Sequence, residues 1–173
     1  YAYNMENLLT EHEIKNIIKV IDAIPKTDTI LYDNFNARNV FVQENGELIL
    51  LNMMSIRRGN PICDLGKIYM IYKNQSDKVQ KRLSGFDSLR AWKFWEVMMN
   101  GYFGTNNTAI TSQYEKTMKA AASLCSALYP AAYKYTNGFD MSIDDIEFFL
   151  SLARRDLFPS ADYIAELLTL FKL

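Results

Sequence analysis

Histidine is almost missing from this chain. His12 is the only one, and it falls on the polar side of a helix expected over residues 10–24, where it reads as a surface residue and not as a ligand. Cysteine is scarce as well. Cys63 and Cys125 lie far apart and in no metal-ligand spacing, so reduced, buried thiols are the expectation and a single disulfide the alternative. Neither sign of charge dominates: Lys plus Arg number 19 and Asp plus Glu 20, a net charge of −1. No basic surface for nucleic acid or another polyanion follows from that balance. No basic stretch followed by an apolar run opens the sequence, and no segment approaches a membrane span. A cytoplasmic protein without a membrane or nucleic-acid partner is therefore expected. Asn74-Gln75-Ser76 and Asn106-Asn107-Thr108 fit the glycosylation pattern, but no secretion signal gives them meaning. Internal repeats and low-complexity segments are absent.

What is present is core material. With 173 residues, 49% of them apolar, the chain has room for one good core and is read as a single domain over 1–173. Thr10-x-x-Glu13 is a capping box, and Ile14, Ile17, Ile18, Ile21 and Ile24 then recur at helical spacing until Pro25 ends the helix. All of Ile14, Ile17, Ile18 and Ile21 are expected to be buried. From Asp64 onward the pattern is helical: Leu65 to Lys73, with Ile68, Tyr69 and Tyr72 on one face, then Asp87 to Phe103, stopped by Gly104. A longer pattern over 110–135 runs through Tyr114, Met118, Ala121, Leu124, Cys125 and Leu128 and is expected to break at Pro130. Ser142 heads the next helix, with Asp144 and Asp145 in its first turn. Pro159-Ser160 opens a last one, through Ile164, Leu167, Leu168 and Phe171. Tyr72, Trp92, Trp95, Tyr102 and Phe103 could be drawn as a pocket for a cation, but aromatics at this spacing are read as core. Arg57 and Arg58, beside a turn, are read as solvated.

The chemistry-bearing stretch runs from Ile30 to Gly66. A short apolar run (Thr29 to Leu31) enters a polar loop that ends at Asn39. A strand-like run, Val40 to Gln43, then an Asn45-Gly46 turn and a second run, Leu48 to Leu51, read as a hairpin. Asn52 ends it, and Gly59-Asn60-Pro61 and Asp64-Leu65-Gly66 lead into a helix. This order resembles the catalytic segment of the aminoglycoside phosphotransferase and choline kinase-like family, whose loop reads roughly His-Gly-Asp-Phe-His-x-x-Asn, followed by Ile-Asp after the second strand and Gly-Asp-Pro-x-x-Asp-Leu before the helix. The resemblance implies an α+β, mostly α fold: the C-terminal lobe of a kinase-like fold, a helical bundle with a small hairpin.

Carried over residue by residue, the loop His falls on Tyr32, the Gly on Asp33, the catalytic Asp on Asn34, the second His on Asn36 and the metal-binding Asn on Asn39. Phe35 matches. The second metal ligand, an Asp, falls on Asn52, and the Asp of the Gly-Asp-Pro element on Asn60. Asp64 matches the acid that braces the catalytic loop. Asn34, Asn39 and Asn52 are thus expected around one polar cleft, with Asp64 accepting backbone N–H groups of the 32–36 loop. The family's N-terminal lobe carries a Gly-rich phosphate loop and a lysine-bearing strand. Neither pattern stands before residue 32, so the resemblance covers the C-terminal lobe alone.

Phosphoryl transfer is mainly positioning and charge stabilisation, with a carboxylate taking or orienting the substrate hydroxyl proton. Asn34 cannot take a proton at neutral pH, and losing a general base costs about 10²–10⁴ in rate. Asn39 and Asn52 offer Mg²⁺ only neutral amide oxygens, where one or two carboxylates are usual. ATP and Mg²⁺ are thus implied by the resemblance alone, and no cofactor is expected for this chain. Asp33, one position early, is the possible substitute. The readings are a degenerate phosphotransferase lobe without activity that binds a protein partner or small ligand, an active phosphotransferase of a small hydroxylated substrate when joined to an N-terminal lobe, and a helical interaction module.

Overall fold

A computed structural model describes residues 8–73, 76–104, 108–137 and 141–171. The fold is α+β and mostly helical, with seven helices and two small sheets among the described residues. The asparagines of both glycosylation patterns lie outside those residues. No described helix is long and apolar enough to cross a membrane.

Helix α1 (Glu11–Asp22) begins at the capping box: Glu13 N–H donates to the Thr10 hydroxyl, and the Glu13 carboxylate accepts the Thr10 N–H at 2.7 Å. Its buried face differs from the expected isoleucine stripe. Ile17 and Val20 are buried and Ile14 partly so, while Ile18 and Ile21 are 51% and 41% exposed. At 100° per residue, a face centred between Ile17 and Val20 puts Ile21 on its flank, about 70° away, and Ile18 about 130° away, towards solvent. Arg154 closes the polar side, donating to Glu13 at 2.8 Å and to the Leu8 carbonyl at 2.8 Å.

Four strands follow. β2 (Val40–Val42) and β3 (Leu48–Leu50) form the expected hairpin, Val40 opposite Leu50. Gly46 at φ +84° makes its turn, a conformation open to residues without a Cβ. β1 (Thr29–Leu31) pairs antiparallel with β4 (Arg57–Gly59), which was not expected. Arg57 and Arg58 are therefore strand residues and not turn residues; both are exposed, as expected, and they pair with Asp33 and Asp28.

Helix α2 (Ile62–Tyr72) starts three residues earlier than its pattern suggests and is the centre of the core. Ile62, Leu65, Gly66, Ile68, Tyr69, Met70, Ile71 and Tyr72 are all buried. α3 (Asp77–Ser84), unread in the sequence, and α4 (Ser88–Phe103) flank it. α5 (Thr108–Asn137) lies across α2, with α6 (Ile143–Asp156) and α7 (Ala161–Thr169) against its other sides. Pro130 does not break α5. It is buried inside the helix, where contacts with α2 and α6 offset a proline penalty of about 3 kcal/mol. On α4, Trp95 and Met99 are core, but Trp92 and Tyr102 are 54% and 50% exposed. The Lys73 ammonium stands 3.3 Å over the Trp92 ring, so the chain supplies that ring's cation itself. Cys63 and Cys125 are free, partly buried thiols, and burial pushes the Cys125 thiol up to about 12.

Candidate functional site

The polar loop after β1 is held from below by helix α2. Asp64, in the first turn of α2, accepts the Tyr32 N–H at 2.9 Å and the Asp33 N–H at 3.1 Å, one on each carboxylate oxygen. Burial raises its pKa above the ordinary carboxyl value, and the two N–H bonds oppose that shift. Its role here is to fix two consecutive peptide groups in place.

Asp33 is more heavily partnered than Asp64. Its side chain meets Arg57 through two contacts of 3.0 Å and Lys67 at 2.8 Å, and Lys67 also donates to its carbonyl at 2.9 Å. Burial by itself would raise the Asp33 carboxyl; the hydrogen bonds and charges of Arg57 and Lys67 outweigh it and hold it below the ordinary value. The backbone here is left-handed, φ +59°, at a cost of about 1–2 kcal/mol for a residue with a Cβ. The three-way ion cluster pins that turn. Two of its members were missed in the sequence. Lys67 carried a signal: Asp64 and Lys67 are the only charged residues of α2, three apart and so on one face. Arg57 carried none, because its position beside Leu31 follows from the β1–β4 register.

The asparagines have different partners. Asn34 is half-buried and enters the network through its carbonyl, which accepts the Asn39 amide at 2.9 Å. Asn36 caps a short 3-10 turn (Ala37–Asn39), accepting the Arg38 N–H at 3.0 Å and donating to the Leu83 carbonyl at 3.0 Å. The Asn39 carbonyl accepts the Leu51 N–H at 2.7 Å, and the Tyr32 hydroxyl donates to the Leu51 carbonyl. These bonds return the end of β3, and Asn52 after it, to the loop. Asn52 is exposed, at φ +61°. Asn60 is 5% exposed and fully used, donating to the Pro25 carbonyl at 2.9 Å and accepting the Ile62 N–H at 3.0 Å.

Phe35 anchors the loop's far side, stacked on Phe94 with ring centres 6.1 Å apart. The Ala37 N–H donates to the Tyr72 hydroxyl at 2.7 Å. Four different elements thus hold the loop: α2 through Asp64, Lys67 and Tyr72, α3 through the Leu83 carbonyl, α4 through Phe94, and β4 through Arg57.

The donor set does not suit a divalent cation. No group of three His, Cys, Asp or Glu side chains gathers among the described residues. The Asn39 amide is turned to the Asn34 carbonyl, and Asn52 adds only a neutral oxygen. Asp33 and Asp64, the nearest carboxylates, are engaged as described. The site as built is a braced loop lined with amides. Comparison with protein-family models, with curated proteins and with solved structures finds no match for this chain.

Proposed function

We propose that this chain is a degenerate kinase-like phosphotransferase lobe that has kept the loop architecture and given up phosphoryl transfer. The observation that carries this reading is the Asp64 carboxylate clasping the Tyr32 and Asp33 N–H groups beneath a loop whose next residue is Asn34. In the family it resembles, that brace presents a catalytic Asp. Here it presents an amide.

The geometry also weighs against a working enzyme built on substitute acids. A general base needs a free lone pair near a substrate hydroxyl and a pKa near the working pH. Asp33 has its carboxylate filled by Arg57 and Lys67 and its pKa lowered, which makes it a weaker base than an ordinary carboxylate. Asp64 would release two loop N–H groups if it moved to accept a proton. Neither ATP nor Mg²⁺ is assigned a place, since the residues at the metal positions do not suit the ion. A role as an interaction module is favoured by a different observation, the exposed apolar hairpin taken up below.

The test is an ATP γ-phosphate transfer assay, paired with calorimetric titration of nucleotide in the presence and absence of Mg²⁺. No transfer above background and no Mg²⁺-dependent nucleotide affinity are expected. Robust Mg²⁺-dependent phosphorylation of any hydroxyl substrate by the unmodified chain would refute the proposal.

A further inference from the structure

The hairpin is unusual in having no interior side. Residues of β2 and β3 alternate between its two faces, and both are apolar: Val42 and Leu48, 59% and 67% exposed, on one, and Phe41 and Ile49, 56% and 40% exposed, on the other. A lone two-stranded hairpin is marginally stable in water.

Among the described residues β2 pairs with β3 alone. Asn39 bonds to Leu51 and Gln43 to Glu47. In the alternation of an antiparallel ladder, Val40 and Val42 then turn their N–H and C=O groups outward. The Val40 N–H bends back to the Ala37 carbonyl, while the Val42 N–H and the Val40 carbonyl face away from β3. An open hollow of about 470 Å³ is lined by Phe41 and Val42 of β2 and by Gln43, Glu44 and Asn45 after them.

Read outward from Phe41, the segment is self-complementary: Val40 matches Val42, Asn39 matches Gln43, and Arg38 matches Glu44. We propose that a second copy of this chain docks on this edge. The two β2 strands pair antiparallel about a two-fold axis at Phe41, making one four-stranded sheet from two hairpins. Each Val42 N–H donates to the partner's Val40 carbonyl, and Phe41 meets its mate at a non-hydrogen-bonded position, where facing Cα atoms are about 4.5 Å apart. The register is selected twice over. A slip of one residue sets outward-facing groups against inward-facing ones, and a slip of two parts Arg38 from Glu44. Arg38 keeps its contacts within its own chain, so its charge contributes to orientation more than to affinity.

Sedimentation velocity of the 173-residue chain should show reversible association to twice the mass of one copy. The register is read by cross-linking. Phe41→Cys should form a disulfide with its counterpart under mild oxidation. Gln43→Cys should not, because residue 43 faces residue 39 and the paired Cα atoms stand about 13 Å apart at ~3.4 Å per residue, beyond disulfide reach. Arg38→Glu and Glu44→Arg should each weaken association about two- to fivefold, the size expected of exposed ion pairs, and the double variant should recover it. Circular dichroism checks that each variant is folded. A chain that stays monomeric at every soluble concentration overturns the proposal, and so does cross-linking at 43 as fast as at 41. A monomer whose β2 amides become protected from exchange only when a peptide is added would assign the edge to that occupant instead.

Discussion

At the scale of single residues, the asparagines of the loop region separate into those whose amide group is used and those, Asn34 and Asn52, whose side chains make no hydrogen bond with another described residue. Asn36, Asn39 and Asn60 each donate an N–H to a backbone carbonyl, which a carboxylate cannot do. Asn60→Asp should therefore destabilise the protein by about 1–3 kcal/mol, the cost of leaving a buried group unpaired, on a urea denaturation curve at neutral pH. Asn34 takes part only through its carbonyl, and Asn34→Asp should stay within about 0.5 kcal/mol of the parent, as for a substitution away from any buried partner. Equal costs at the two positions would remove the distinction. Asp64→Ala frees the Tyr32 and Asp33 N–H groups, and a loss of about 1–3 kcal/mol is expected, together with faster amide exchange at those two residues.

At the scale of elements, the closest approach is between α2 and α5. A Cβ on Gly66 would sit 2.7 Å from the Ala121 Cβ and 2.9 Å from its carbonyl carbon. Because backbone cannot step aside as a long side chain can, Gly66→Ala should cost about 1–3 kcal/mol through overpacking, although alanine is the better helix former. Ala121 and Ala122, both buried, are the α5 half of that contact. α1 gives a contrasting pair. Val20→Ala should lose about 2 kcal/mol, typical of truncation in a core, whereas Ile18→Lys should change stability by less than about 0.5 kcal/mol. Thermal or urea unfolding of the two variants decides whether the helix is docked on the face described.

At the scale of the whole molecule, two carboxylates couple stability to pH in opposite directions. The folded pKa of Asp33 is lowered from 3.8, so its contribution is fully present above that value and is lost as pH falls through the lower folded value. Asp64 is raised from 3.8, so its contribution is present below 3.8 and is lost as pH rises through the higher folded value. Asp33→Asn should therefore flatten the acid limb of the stability–pH curve, and a variant as acid-sensitive as the parent would show that the Arg57 and Lys67 pairs are not what holds the loop. The same cluster joins β1, β4 and α2, so its loss is expected to loosen the sheet before the helical core.

The sequence by itself determined the elements whose signals are local. The Thr10–Glu13 box, the Asn45-Gly46 turn, the Ser142 cap and the Gly104 stop depend on neighbours three or four residues away, and their geometry follows from backbone hydrogen bonding alone. The resemblance to the phosphotransferase family, carried by the same residues, implied Asp64 as the carboxylate beneath the loop, and it does accept the Tyr32 and Asp33 N–H groups. Tertiary structure decided the rest. Which face of α1 is buried depends on where α7 and α5 lie, so five isoleucines at helical spacing could not show that Val20 lies inside and Ile18 outside. β4 exists because Leu31 and Arg57, 26 residues apart, are brought into register. α5 runs through Pro130 because long-range contacts outweigh a local penalty. The partners of Asp33 were settled the same way: in the sequence it is a carboxylate in a polar loop, and only tertiary structure brings Arg57 and Lys67 from two other elements onto it.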